Sequence, residues 1–339
     1  MTAILGWDVG GANLKVARVV GDPPRVDRTI ERPFALWREP QRLAERLAEL
    51  AAAMGPAQRH AVSMTAELCD CFATKAEGVR HVLDSMRSAL PGAPLAVYGA
   101  DGRFHSVPEA AKRPLLVAAA NWRATAALVA EQSPDAILVD VGSTTADLIP
   151  IVSGRVRALG FTDTDRLRSG ELVFTGNLRT PVCAIVSALP LRGRRCRVAA
   201  EWFAIAADAQ LWLGHIRPKD YSCDTPDGRG RTRSAAGARL ARMVGAEAAS
   251  LREREITALA RAVVAAQVAA IADGLRQIRA RLKGRCPRVA VLAGQGALLG
   301  RAAARAAGLR PRPLPLPAGA ARAAPAAAVA LLLARDGRG

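Results

Sequence analysis

Aromatic side chains are scarce in this sequence: five Trp, two Tyr and six Phe make up 4% of 339 residues. Single-stranded nucleic acid is held by stacking bases on aromatic platforms, so a formal net charge of +18 does not by itself point to a nucleic-acid partner. Lysine is scarcer still, with five residues (Lys15, Lys75, Lys112, Lys219 and Lys283) against 43 arginines. An excess of Arg over Lys is what a GC-rich genome writes onto protein surfaces, and it raises the charge without implying any partner. There are six cysteines and four histidines, and no CxxC pair. That excludes an ordinary structural zinc site and points to reduced thiols in a cytoplasmic protein. Cys69 and Cys71 flank Asp70, and alternation along a strand predicts one buried and one exposed thiol. The sequence does not open on a basic segment followed by an apolar one, so no secretory leader is expected. The apolar run at 326–334 is far short of the roughly 20 residues that span a bilayer, and it reads as a packed helix. Neither nucleic acid nor a membrane is expected as a partner.

Apolar residues, by contrast, are plentiful. Half the residues are hydrophobic and 23% are charged, enough to build a core and too few charges for disorder. The length suits two domains. Charge is uneven: residues 1–135 carry a net +1 and residues 136–339 a net +17. A field of that size on one part of a chain suits small polyanions such as diphosphates and carboxylated metabolites.

Ala3 to Asp8 reads as a strand, Gly10 and Gly11 as a turn, Leu14 to Val20 as a second strand and Arg25 to Ile30 as a third. A dinucleotide fold would send its glycine loop into a helix, whereas Val16, Val19 and Val20 continue a β pattern. Helices follow at 41–54, 79–90 and 118–131, with strands at 61–65 and 95–98. The pattern then begins again. Ala136 to Asp140 is a strand ending in aspartate, 142–145 is a small-residue turn, and 146–152 and 155–159 are strands. This duplication of topology lies about 130 residues downstream. A long helix at 252–282, a strand at 288–293, a helix through Ala307, a Pro-rich connector at 311–317 and a closing helix at 323–334 complete the chain.

Three segments carry a resemblance: DVGGANLK at Asp8–Lys15, DVGSTTADL at Asp140–Leu148 and LAGQGAL at Leu292–Leu298. They resemble, in order, the first phosphate, second phosphate and adenosine motifs of the superfamily of actin, sugar kinases and the 70-kDa heat-shock proteins. Three further segments resemble its hydantoinase/oxoprolinase-like branch: SGELVFTGNLRTPVCAI at 169–185, AEWFAIAADAQLWLG at 200–214 and DTPDGR at 224–229. Within that branch they are similar to the MfnF-type synthases of methanofuran biosynthesis, which serve tetrahydromethanopterin-linked one-carbon transfer. The resemblance implies an α/β fold of duplicated RNase H-like domains, with mixed sheets, helices on both faces and a cleft between the halves. Residues 1–135 would hold the first phosphate hairpin. Residues 136–339 would hold the second, an inserted substrate segment near 160–250, and the C-terminal helices.

The related synthases join the phenol of a glutamylated tyramine to a furan-methyl diphosphate, forming an aryl ether and releasing pyrophosphate. The resemblance therefore implies small anionic substrates and no requirement for ATP. The phosphate loops would hold the diphosphate through Gly10, Gly11, Asn13, Gly142, Ser143, Thr144 and Thr145, with Gly294 and Gly296 of the adenosine-like motif beside them. Glycine lacks Cβ, so backbone amides approach phosphate oxygens closely. Lys15 would add positive charge, and Asp8 and Asp140 would hold Mg2+ through waters. A base must take the phenol proton, whose reference pKa is about 10. Asp147, Glu171 and Asp208 are candidates, with Asp147 alternatively a second metal carboxylate and His215 a weaker base.

Each of these residues also has a plain structural reading. Asp8 and Asp140 would cap their turns, Glu171 and Asp208 would pair with arginines, Trp122, otherwise a substrate platform, would be core, and Arg179, otherwise a ligand for the glutamyl carboxylate or the diphosphate, would be one arginine among many. Asn13 stands where many relatives carry Thr or Ser, and Gly294-Gln295-Gly296 replaces the Gly-Gly of nucleotide binders. Both departures weaken the alternative, an ATP-dependent kinase or amidohydrolase of the same fold. A non-catalytic basic binding protein comes last, and the oligomeric state, a homo-oligomer included, stays open.

Overall fold

The computed structural model describes residues 3–282, 284 and 286–336. The first sheet is formed by β1 (Ile4–Val9), β2 (Asn13–Val20), β3 (Arg25–Pro33), β4 (Arg59–Met64), β5 (Leu95–Tyr98) and β6 (Phe104–Ser106). Their order is β3-β2-β1-β4-β5-β6. β1 runs antiparallel to β2 and parallel to β4. Its six residues are all buried, as expected of a central strand covered on both faces. β3, at the edge, is largely exposed and charged, which discourages pairing with another chain. Trp7 on β1 donates Nε1–H to His60 Nδ1 on β4 at 3.2 Å. Burial pushes the His60 imidazole down to about 4, so it stays a neutral acceptor. Helices α1 (Leu43–Met54), α2 (Lys75–Ala89) and α3 (Asn121–Gln132) belong with this sheet. The last starts later than its sequence suggests, because Ala118 is extended and Ala119 has φ 48°.

The second sheet repeats the order. β7 (Ala136–Val141) and β8 (Ala146–Val152) take the places of β1 and β2, with β9 (Arg155–Val156) and β10 (Leu172–Val173) both pairing with β8. A separate ribbon follows, β11 (Ala188–Leu191) with β12 (Arg194–Arg197). Beyond it come the helices α4 (Ala206–Trp212), α5 (Arg233–Arg242) and α6 (Glu253–Arg281). β13 (Val289–Ala293), α7 (Ala297–Ala306), β14 (Arg310–Pro313) and α8 (Ala324–Asp336) end the described chain. The strand order is β10-β8-β7-β13-β14. The Pro-rich segment expected as a connector supplies β14 at its start. Proline is tolerated there because an edge strand need not donate on both sides.

The chain forms two compact units, and they interleave rather than dividing at residues 135 and 136. The first holds the residues up to Leu138, Ile149–Arg166 and those from Pro313 on; the second holds Val139–Leu148 and Leu167–Arg312. The interleaving follows from α8, which packs on β1, β2, β4 and α3 of the first unit. A Cβ on Gly6 would lie 2.0 Å from the Ala326 carbonyl oxygen and 2.8 Å from Ala330 Cβ. Backbone therefore meets backbone, and the alanine-rich sequence of α8 is what permits that approach. In the second unit, α6 is long and apolar enough to cross a membrane by length and composition. Its Leu259, Ala260 and Val263 instead pack with Trp212, Leu240 and Met243 in one core cluster.

Candidate functional site

The two glycine turns are built to one plan. In the first unit, Gly10 N–H donates to the Asn13 carbonyl at 3.1 Å. In the second, Gly142 N–H donates to the Thr145 carbonyl at 2.9 Å. A later segment then docks its own amides on the carbonyls of each turn. Leu36 N bonds Gly11 O at 2.9 Å and Phe34 N bonds Ala12 O at 3.0 Å. Correspondingly, Asn177 N bonds Gly142 O at 2.9 Å, while Leu178 N and Arg179 N bond Ser143 O at 3.0 and 2.9 Å. Carbonyls so occupied leave the turns with backbone amides as their remaining polar groups, the kind of group that attracts anions.

Asp8 stands at the end of β1, in register with Lys15 on β2. Lys15 Nζ donates to Asp8 Oδ2 at 3.2 Å. Asp8 is 3% exposed, and its Oδ1 is buried without a hydrogen-bond partner. An orphaned carboxylate oxygen at the head of an anion-binding turn fits hydrated Mg2+, whose ligands are oxygens. Among the described residues, no three His, Cys, Asp or Glu side chains come together as a metal cage. Asn13 contributes to the turn through its carbonyl.

The loop after β4 supports the first turn. Thr65 N–H donates to Val9 O at 2.9 Å, and a Cβ on Gly11 would sit 2.3 Å from Cys69 Sγ. Cys69 and Cys71 are both half-buried, against the expectation of one buried and one exposed. They lie in consecutive turns, closed by Cys69 N to Ala66 O and Phe72 N to Cys69 O, and not on a strand.

Around the second turn, Asp140 is buried on β7. Ser143 Oγ and Thr144 Oγ1 lie 3.3 Å apart. Gly176 presses on this turn so closely that a Cβ would meet Thr144 N at 2.4 Å. Gln267, mid-way along α6, holds Gly176 by donating to its carbonyl at 2.8 Å and to Thr175 Oγ1 at 2.9 Å. Gln267 also accepts from Gln210 at 3.5 Å, and Gln210 meets His215 Nδ1 at 2.8 Å. His215 thus ends a chain of amides, and among the described residues it has no hydrogen bond or ion pair with a carboxylate. Gly294 (φ 77°) and Gly296 wrap the same strand: a Cβ on Gly294 would meet Asp140 Oδ1 at 2.4 Å, and Gly296 N–H donates to Val141 O at 2.9 Å.

The carboxylates considered for the phenol proton separate clearly. Glu171 is fully buried, and its Oε1 accepts from Arg281. Asp208 is fully buried and accepts from Arg239 Nε at 2.8 Å, Tyr221 Oη at 3.1 Å and Ile205 N at 3.0 Å. Burial raises its carboxyl, with Arg239 opposing. Asp227, from the DTPDGR segment, bonds the other side of Arg239 at 3.0 Å. This is a structural clamp, the arginine pairing that the sequence offered for Asp208 as the alternative to a base. Asp147, in register with Leu172 on β10, is half-buried. Trp122 is core, 2% exposed, with the Arg166 guanidinium 4.4 Å above its ring.

Sequence reasoning missed one group. Glu67, in the loop after β4, is 1% exposed, and neither carboxylate oxygen has a hydrogen-bond partner. Burial pushes it up to about 7. The only signal was a lone acid between Ala66 and Leu68.

A family model, Hydantoinase/oxoprolinase, matches residues 58–336. A synthase from Methanocaldococcus jannaschii, named (4-{4-[2-(gamma-L-glutamylamino)ethyl]phenoxymethyl}furan-2-yl)methanamine synthase, is 40% identical over 75% of this chain and 74% of its own. A protein of the same name from Methanococcus vannielii is 47% identical over 27% of this chain and 41% of its own. Among solved structures, a ROK family glucokinase from Streptomyces griseus is 15% identical, covers 98% of this chain and 99% of its own, and superposes with a TM-score of 0.47. On the family match and the identity to the first synthase, the chain belongs to the hydantoinase/oxoprolinase family.

Proposed function

We propose that this protein is a transferase of methanofuran-type cofactor synthesis. It condenses a furan-methyl diphosphate with the phenol of a glutamylated tyramine, forming an aryl ether and releasing pyrophosphate. The observation that carries this reading is the pair of turns built to one plan with their carbonyls occupied, on a chain 40% identical to a synthase whose name contains that phenoxymethyl-furan ether. The turns at 10–13 and 142–145 bind diphosphate oxygens through backbone amides, and Lys15 balances the charge of Asp8. Each turn has its own carboxylate that we assign to hydrated Mg2+, Asp8 in the first unit and Asp140 in the second. When bound, the ion would neutralise charge building on the leaving pyrophosphate. The phenol oxygen attacks the furan methylene carbon, the carbon–oxygen bond to the diphosphate breaks, and pyrophosphate leaves with the bonding electrons. The phenol proton passes to a carboxylate. Asp147, half-buried on β8 behind the second turn, is our assignment. No step consumes ATP, and we place the reaction in the cytoplasm.

The test is to incubate pure protein with Mg2+, a furan-methyl diphosphate and a glutamylated tyramine while following pyrophosphate release. Stoichiometric ether and pyrophosphate without ATP are expected. Absence of product with every phenolic acceptor, together with substrate-stimulated ATP hydrolysis, would overturn the proposal in favour of a kinase or amidohydrolase.

A further inference from the structure

We propose that Glu67 is the receptor for a primary ammonium group on the diphosphate substrate. This inference rests on the reaction proposed above and identifies which end of the furan the protein recognises. It starts from an imbalance in the first unit. A glutamate that is 1% exposed, whose carboxylate oxygens make no well-formed hydrogen bond and lean only weakly on the backbone amides of Glu67 and Ala119, is costly to keep, because a buried acceptor normally finds a donor. The nearby lysine relieves it only in part: Lys75 favours the Glu67 carboxylate through space, but its Nζ is bonded to Asp163 Oδ2 at 2.7 Å, and Asp163 opposes. Arg166, over the Trp122 ring, also lies toward Asp163, at 3.9 Å.

The position is held on several sides. A Cβ on Gly78 of α2 would meet Glu67 Cα and O at 2.6 Å each, so the helix fixes the backbone beneath the side chain. The same loop carries Thr65, bonded to Val9 O, and Cys69, pressed on Gly11. Glu67 therefore shares a loop with the residues that shape the first phosphate turn. Its chain neighbour Leu68 is 53% exposed, so the loop itself runs at the surface of the unit.

The missing partner must donate hydrogen bonds and carry positive charge. A primary ammonium does both, with three donors on one small cation. The relative's name ends in furan-2-yl methanamine, so its product bears such a group on the furan. A substrate anchored by its diphosphate at the glycine turn and by its ammonium at Glu67 would be held at both ends of the ring, which orients the methylene carbon for attack.

The experiment compares two diphosphates, one with an aminomethyl group on the furan and one with methyl in its place, each with a glutamylated tyramine as acceptor. In the wild type, kcat/KM should favour the amine by about 10- to 100-fold, the size of a charge-assisted hydrogen bond. Glu67→Gln should bring the ratio to within about threefold through a higher KM for the amine, with Glu67→Asp intermediate. A second readout needs no turnover: furfurylamine should raise the melting temperature of the wild type and not that of Glu67→Gln. An unchanged ratio in the variant, an equal loss of turnover on both substrates, or an equal thermal shift in both proteins would overturn the ammonium assignment. A wild type active on both diphosphates without preference would do the same while leaving the ether-forming reaction standing. No pyrophosphate from either diphosphate would overturn that underlying reaction instead.

Discussion

Glu67 should leave a signature on folding stability that is separate from catalysis. Its carboxyl is pushed up to about 7 from an ordinary 4.5 by burial. Between those two values the folded chain holds a proton that the unfolded chain releases, so stability falls as pH rises through that window. The cost is nearly absent below pH 4.5 and complete above pH 7. At about 1.4 kcal/mol per pH unit it reaches about 3 kcal/mol. Glu67→Gln removes the titration and keeps the shape. Its buried amide has a cost of its own, but that cost does not vary with pH. The stability difference, variant minus wild type, should therefore grow by about 3 kcal/mol between pH 4.5 and pH 8. That corresponds to roughly 4 °C in melting temperature if the whole chain unfolds together. Urea denaturation of both proteins across this range measures it. A difference that stays flat within about 0.5 kcal/mol would mean the carboxyl titrates as it does in water, and the reading of Glu67 as a desolvated, unpartnered acid would be wrong.

The other predictions concern the turns and the clamp. Asp8→Asn and Asp140→Asn should each lower the rate of pyrophosphate release by at least about 100-fold with circular dichroism unchanged, the scale of a lost transition-state electrostatic contact; near-normal rates in both would remove the carboxylates from the mechanism. Gly176→Ala places a methyl 2.4 Å from Thr144 N, so it should push the second turn open. We expect a loss of about 1–3 kcal/mol in a denaturant melt and turnover reduced by at least about tenfold. Asp208→Ala leaves the buried Arg239 guanidinium with Asp227 as its remaining carboxylate and should cost about 1.5–3 kcal/mol in the same melt, the size of a hydrogen bond to a charged group, where an ordinary surface change stays within about 0.5 kcal/mol.

Much of this architecture was legible from local pattern. The β-branched runs around Asp8 and Asp140 marked central strands, and the small residues after each aspartate marked turns whose backbones had to bend tightly. Their duplication was visible because both signals repeat in order. The fate of the candidate carboxylates was not legible. Glu171 meets Arg281 across 110 positions, and Asp208 meets Arg239 across 31; with 43 arginines in the chain, nothing local selects the partner. The cysteine expectation failed because turn hydrogen bonds at Ala66, Cys69 and Phe72 replaced the strand on which alternation depends. Gln267 left a clue, a lone amide among Val, Ala and Ile on the buried face of a helix. A polar residue there needs partners, and it finds them on the segment that presses against the second turn.

The return of α8 to β1 has a consequence for biosynthesis. Translation proceeds from the first hairpin toward α8, so β1, β2 and β4 emerge early while the helix that covers them emerges only after the whole second unit. Until then Gly6 and its neighbours present an uncovered central strand. The early unit must wait, exposed, for its last piece, and a nascent chain arrested before Ala324 should be the species most in need of a chaperone.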